Sequence, residues 1–238
     1  MSVLRIPLLV GGVLTLAIAG FGFFAGSPGK GLQTESLRGE SAPTQVLRAP
    51  SRSTVVPSGV HEDITFVGPR DGVPDDAPKA YGFWSFATPV SGVLSRSGQP
   101  LAPEFSWLKD HGWKSVVNLR IDGERGEVGD DTKLMGFSAL GLTYLHLPLT
   151  DGQPPTNEQA ERFLAFVTDP ANLPVHVHCR GGIGRTGTMV ALYRYAVQGW
   201  PIDTAIEESR AFRGGISGSQ KTWLEYWAAT HPPGSHRP

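Results

Sequence analysis

Apolar and polar positions alternate behind Pro174, through Val175, His176, Val177 and His178, which is the period of a short buried strand. A glycine-rich turn follows. From 186 to 199 the period becomes helical, with Met189, Val190, Leu192, Tyr193, Ala196 and Val197 available for burial. Upstream, 93–97, 114–120 and 142–147 read as strands. Residues 103–111 read as a helix with Phe105, Trp107 and Leu108 inward and Gly112 at its end. A second helix is predicted over 131–140, stopped by Gly141. A third covers 156–169, where Thr156 and Gln159 have capping-box spacing and Phe163, Leu164, Phe166 and Val167 form the apolar face. Past the turn at Gly199-Trp200-Pro201, Asp203 is placed as the cap of a helix reaching Phe212. A last helix, 219–230, turns Trp223, Leu224 and Trp227 to one side. Strands alternating with helices imply an α/β fold, a mainly parallel central sheet with helices on both faces. In such sheets ligands bind beyond the carboxyl ends of the strands.

The first third of the chain has a different texture. Residues 6–25 carry no charge, a span long enough to cross a bilayer as a helix. The same residues fit a signal peptide, with Ala17-Ile18-Ala19 as its small-residue cleavage site. Arg5 on one flank and Lys30 and Arg38 on the other do not decide the orientation. From 27 to 78 glycine, proline, serine and threonine dominate without a sustained period, as in a tether, although 60–67 has room for one short strand. Dense apolar content begins at Tyr81 to Phe86. The last residues are proline-rich and expected to fray. The expected organisation is therefore a signal peptide or membrane anchor at 1–26, a flexible linker at 27–78, a catalytic domain at 79–232 and a tail at 233–238. That puts the domain outside the cytoplasm, exported or membrane-anchored.

Composition narrows the chemistry. The chain has 238 residues and a net charge of −1, so nothing suggests a nucleic-acid partner. It has a single cysteine, Cys179, which excludes an intramolecular disulfide or a multi-cysteine metal site. No metal or cofactor site is expected, and His146 and His176 have no partners at metal-ligand spacing.

That cysteine sits where the strand ends, six positions before Arg185. The turn between them can curl its backbone N–H groups inward as an anion cradle, and the N-terminus of the next helix aims its dipole at the same point. Gly181, Gly182 and Gly184 let an oxyanion approach closely, with Ile183 among them. Arg185 offers a planar fork for two phosphate oxygens. A thiol in such surroundings gives up its proton readily, and the Thr186 hydroxyl could donate to the sulfur.

His178-Cys179, five residues, then Arg185-Thr186 resembles the Cys-x5-Arg-Ser/Thr signature of the cysteine-dependent tyrosine and dual-specificity phosphatases. Arg96-Ser97-Gly98-Gln99-Pro100 resembles an early signature of bacterial members. The resemblance implies hydrolysis of phosphate monoesters, on phosphotyrosine and phosphoserine/threonine, through a metal-independent phosphocysteine. Cys179 would be the nucleophile, and Arg185 with the turn 180–184 would bind phosphate. Asp151, on the loop after the 142–147 strand, would be the general acid. The loop carries Thr150-Asp151-Gly152 and lacks the Trp-Pro-Asp of receptor-type members. His178 would orient the turn, Gln220 would position water, and Arg180, Arg96 and Arg120 would be accessory charges. The absence of lysine within the turn favours a phosphoprotein or a small phosphate ester as substrate. A phosphate-binding pseudophosphatase and a rhodanese-like sulfur transferase remain alternatives. Low-molecular-weight phosphatases place their cysteine near the N-terminus with the acid downstream, the reverse of the order here.

Overall fold

The computed structural model describes residues 64–79, 83–124 and 140–238. The expected anchor or signal, the linker up to residue 63 and the helix at 131–140 (save its last residue) lie outside the described residues. Five strands, β1 (Ala87–Val90), β2 (Leu94–Ser97), β3 (Ser115–Asn118), β4 (Thr143–His146) and β5 (Val175–His178), form one sheet in the order β1-β2-β5-β3-β4. All neighbours are parallel except β1 and β2. The helices are α1 (Ala102–Asp110), α2 (Asn157–Thr168), α3 (Gly184–Ala196), α4 (Ile202–Glu208) and α5 (Gly218–Thr230).

The central strand β5 is buried along its whole length, and its alternation sorts the two cores. Val175 and Val177 face a core with Phe163, Leu164, Met189, Leu224 and Trp227, supplied by α2, α3 and α5. His176 and His178 face the other side, where Phe83 and Phe86 lie against His176 and Phe105 meets His178 edge-on. There α1 adds Trp107 and Leu108. The parallel register sets Ser95 opposite His176 and Ser97 opposite His178. It gives His176 a hydroxyl at each ring nitrogen, Ser95 Oγ at Nδ1 and Ser97 Oγ at Nε2, both at 2.8 Å. Ser97 donates its own hydrogen to the Gly98 carbonyl. It therefore accepts from Nε2–H, while Ser95 donates to Nδ1, and the imidazole is neutral. Burial, aided by neighbouring His178, holds its pKa well below the ordinary histidine value.

Helix α3 is buried on every side from Arg185 to Ala196, which is why it lacks the one-sided stripe of a surface helix. It starts at Gly184, two residues before the pattern suggests, so Arg185 and Thr186 sit in its first turn. The Thr156–Gln159 capping box forms as expected.

Four features depart from the sequence reading. Strand β1 contains Pro89, which argues against a strand in the sheet interior. It is an edge strand, antiparallel and irregular in register, where a missing N–H is tolerated. Helix α4 is capped by Pro201 rather than Asp203, which lies in its first turn. Residues assigned to the linker already pack on the domain. Val67 N donates to Glu208 Oε1 (3.0 Å), Phe66 lies near Trp200, and Ala77 is buried. The tail is hydrogen-bonded to the domain. Gly234 N and His236 N donate to the carbonyls of Tyr195 and Ala196, at the end of α3 where helix carbonyls lack intrahelical partners.

Candidate active site

Cys179 lies just beyond β5 and is 2% exposed. The turn after it is shaped from below by the end of β2. The Arg180 carbonyl accepts from Gln99 N (3.0 Å), and the Gly182 carbonyl accepts from Arg96 Nη2 (2.6 Å). In a trans peptide the C=O and the following N–H point opposite ways. With those two carbonyls drawn outward, the N–H groups of Gly181 and Ile183 face the other side of the turn. Neither donates to any acceptor among the described residues. The turn thus presents amide hydrogens as the glycine pattern suggests. Gly182 has φ +67°, and a Cβ there would stand 2.5 Å from Gly98 N and Ser97 C. Backbone lies against backbone at that point, and only glycine fits.

Arg96, fully buried, stacks its guanidinium on Phe212 at 3.6 Å. Burial lowers its pKa to about 10, while the charges of Cys179 and Glu208 act the other way. It is therefore a cation at neutral pH, set under the turn. Arg120, also buried, donates to Gln99 Oε1 (2.9 Å) and to the Glu124 carbonyl (3.3 Å).

Arg185 is 1% exposed and occupies the first turn of α3. Its two terminal nitrogens are bound by Glu124, Nη1 to Oε2 at 2.5 Å and Nη2 to Oε1 at 2.8 Å, and Nη1 also donates to the Leu149 carbonyl at 3.2 Å. Burial disfavours the Arg185 charge, but Glu124, Cys179 and Asp151 outweigh it and raise its pKa. Burial likewise opposes ionisation of Glu124, yet the Arg185 hydrogen bonds and charge hold its carboxyl below the ordinary value. The end-on edge of the guanidinium is thus occupied, while Nε makes no hydrogen bond among the described residues. Glu124 is a member of the site that the sequence reading missed. It lies 61 positions from its partner, in a charged, glycine-containing loop, and the only signal was that this loop follows β3 at the carboxyl rim of the sheet.

Asp151 reaches the same place from the loop after β4, with Oδ1 3.4 Å from Arg185 Nε and its side chain 73% exposed. The N-terminus of α5 secures this loop. Ser217 Oγ and Ser219 Oγ both donate to the Gly152 carbonyl (2.8 and 2.9 Å), and Gln220 Nε2 donates to the Gln153 carbonyl at 3.1 Å. Gln220 also closes a capping box with Ser217 and lies beside Gly184, where a Cβ would be 3.3 Å from its Oε1. It therefore joins the acid loop to the turn. The Thr186 hydroxyl is buried and has no hydrogen-bond partner among the described residues. His178 is buried with Nδ1 3.4 Å from the Cys179 carbonyl. Arg180 is exposed. The structure thus gathers Cys179, the 180–184 turn, Arg185, Thr186, Asp151 and Gln220 at the carboxyl rim.

Comparison with known proteins gives the same picture. A family model described as a DSP-PTPase phosphatase fused to NAD+ kinase matches residues 87–224. A probable NAD kinase 2 of rice chloroplasts (Oryza sativa subsp. japonica) is 32% identical over 129 residues, which are 52% of this chain and only 12% of that protein. The chain thus spans about an eighth of that relative's length. A probable tyrosine-protein phosphatase of Dictyostelium discoideum is 30% identical over 129 residues, 52% of this chain and 74% of the relative. The crystal structure of a putative phosphatase from Shewanella putrefaciens superposes with a TM-score of 0.53 at 25% identity, covering 63% of this chain and 95% of that one. With a cysteine–arginine turn on this sheet and a family match over residues 87–224, the chain belongs to the family of dual-specificity-type phosphatases whose model is named for its fusion to NAD+ kinase.

Proposed function

We propose that the protein hydrolyses phosphate monoesters, phosphotyrosine and phosphoserine/threonine among them, through a phosphocysteine. The observation that carries this reading is the convergence of Cys179, the inward amides of the turn, Arg185 held by Glu124, and Asp151 at 3.4 Å from Arg185 Nε. Cys179 sulfur attacks phosphorus and the P–O bond to the leaving group breaks. Arg185 and the turn amides hold the three remaining oxygens, and Asp151 gives its proton to the departing oxygen. Water, deprotonated by Asp151, then attacks phosphorus. The S–P bond breaks, returning thiolate and inorganic phosphate.

The test is turnover of p-nitrophenyl phosphate and of phosphopeptides by the full chain, with Cys179→Ser and Asp151→Ala variants. Cys179→Ser should abolish turnover. Asp151→Ala should slow it by roughly 10²–10⁴ for poor leaving groups and retain bound substrate. Equal activity in the wild type and Cys179→Ser would overturn the reading. We further propose that residues 6–25 export or anchor the chain, on the strength of their uncharged run. Fractionation of cells expressing the full chain tests this, and recovery of the intact protein in the cytosol would refute it.

A further inference from the structure

Beside the catalytic turn lies a cavity of about 430 Å³, with Phe83 and Trp84 in its wall and Arg70, Lys79 and Arg213 around it. No acidic residue lines it, and none of the three cations makes an ion pair among the described residues. Arg213 rests over the Trp84 ring, its Cζ 4.1 Å from the centroid. The backbone here is unusual. Among the described residues only Arg70, Ser85 and Arg213 are non-glycine residues with positive φ (76°, 57° and 52°), and all three line this cavity. Left-handed backbone at non-glycine residues is uncommon and gathers at ligand sites. A fold that simply needed turns there would have been served by glycine.

Two short routes join the cavity to the turn. The Trp84 carbonyl accepts from Gly98 N at 2.6 Å, and Gly98 is packed against the Arg180 carbonyl. On the other side, Arg213 follows Phe212, on which Arg96 stacks while holding the Gly182 carbonyl. The cavity wall is therefore in contact, through Trp84 and Arg213, with the residues that hold the turn in shape.

We propose that this cavity binds a second phosphate group of the substrate, so that the preferred substrates are small molecules carrying two phosphates. This rests on the phosphatase reading, which places the first phosphate at Cys179. Three unneutralised cations call for an anion, and Arg forks with a Lys suit phosphate oxygens. The lead-in covers the sheet edge next to the cavity, so a peptide could not dock there as an added strand. Arg70 N donates to the Phe86 carbonyl and Thr88 N donates to that of Asp71. Every lining residue except Arg213 also precedes residue 87, where the family match begins. The subsite is therefore particular to this chain's lead-in rather than to the catalytic core.

The experiment uses the full chain as Cys179→Ser, which cannot form the phosphocysteine, titrated calorimetrically with linear α,ω-alkanediol bisphosphates of three to eight carbons and the matching monophosphates. At the fitting length the bisphosphate should bind about tenfold tighter than its monophosphate, given three partly exposed ion pairs. That margin should shrink as salt is raised and disappear in Arg70→Gln/Lys79→Gln/Arg213→Gln, with monophosphate affinity unchanged. Equal affinity at every length, or a margin that survives the triple substitution, overturns the proposal. So does the same triple substitution made with Cys179 intact if it loses turnover only on acidic phosphopeptides, because that outcome assigns the cations to a protein substrate. Because the readout is binding, it stands apart from the phosphatase reading, which is tested by comparing turnover of the wild type with that of Cys179→Ser.

Discussion

Glu124→Gln is the most informative single substitution. The carboxylate binds both terminal nitrogens of Arg185, at 2.5 and 2.8 Å, with a side chain only 11% exposed. Glutamine keeps the shape, but its amide offers one acceptor and turns an NH₂ towards the guanidinium. One hydrogen bond between charged groups is lost, worth about 1.5–3 kcal/mol. What remains is the one bond to the glutamine oxygen, the Leu149 carbonyl and the exposed Asp151, and an exposed pair contributes about 1 kcal/mol or less. Arg185 is then held less firmly in its place at the site. If that placement matters fully in the transition state, kcat/KM falls by roughly 10- to 150-fold. The assay is kcat/KM for p-nitrophenyl phosphate together with the inhibition constant of inorganic phosphate, and a melting curve confirms folding. A folded variant within twofold of wild type on both readouts would refute the claim that Glu124 aims Arg185. The effect should be flat across neutral pH. Glu124 has a folded pKa below its ordinary value, so its contribution is complete above the unfolded carboxylate value and is lost only as pH falls through the lower folded one.

Gly182→Ala should destabilise by about 2–5 kcal/mol, from the left-handed backbone and a Cβ forced against Ser97 and Gly98, read as a lower urea midpoint. His176, neutral between two serine hydroxyls, should show no titration at neutral pH by NMR. Its folded pKa is depressed, so the unfolded chain binds the extra proton. Stability should therefore fall as pH drops below about 6.5, with a slope of up to about 1.4 kcal/mol per pH unit, and a His176 signal titrating near 6.5 would contradict the geometry. Glu208→Ala removes the buried partner of Arg194, which it meets at 2.6 and 3.0 Å, and should cost about 3–5 kcal/mol. Because Val67 N also binds Glu208, protease cleavage before residue 79 should accelerate, and unchanged cleavage would show that the lead-in is held by other contacts.

The legibility of the chain followed the range of its interactions. Strand β5, the glycine turn and α3 could be read because sulfur, glycines and guanidinium are contiguous and the period changes across them. Asp151 was legible through loop position. Glu124 was not, since its pairing with Arg185 joins two distant loops and leaves no local pattern. The prolines of the tail spoke for irregular structure on local grounds, and the sequence reading places no strand at 87–90, around Pro89. Tertiary context overrode them: an edge position absorbs the missing N–H at Pro89, and the open carbonyls at the end of α3 capture the tail. Polar lead-in residues carried no period because they are held by backbone bonds and one buried glutamate.

Two serine hydroxyls on the Gly152 carbonyl and the glutamine amide on that of Gln153 tether the segment that carries Asp151. Swinging it away would strip three hydrogen bonds at once. Under the proposed mechanism the acid would already stand beside Arg185 when an ester arrives, and proton donation would not have to wait for this loop to move.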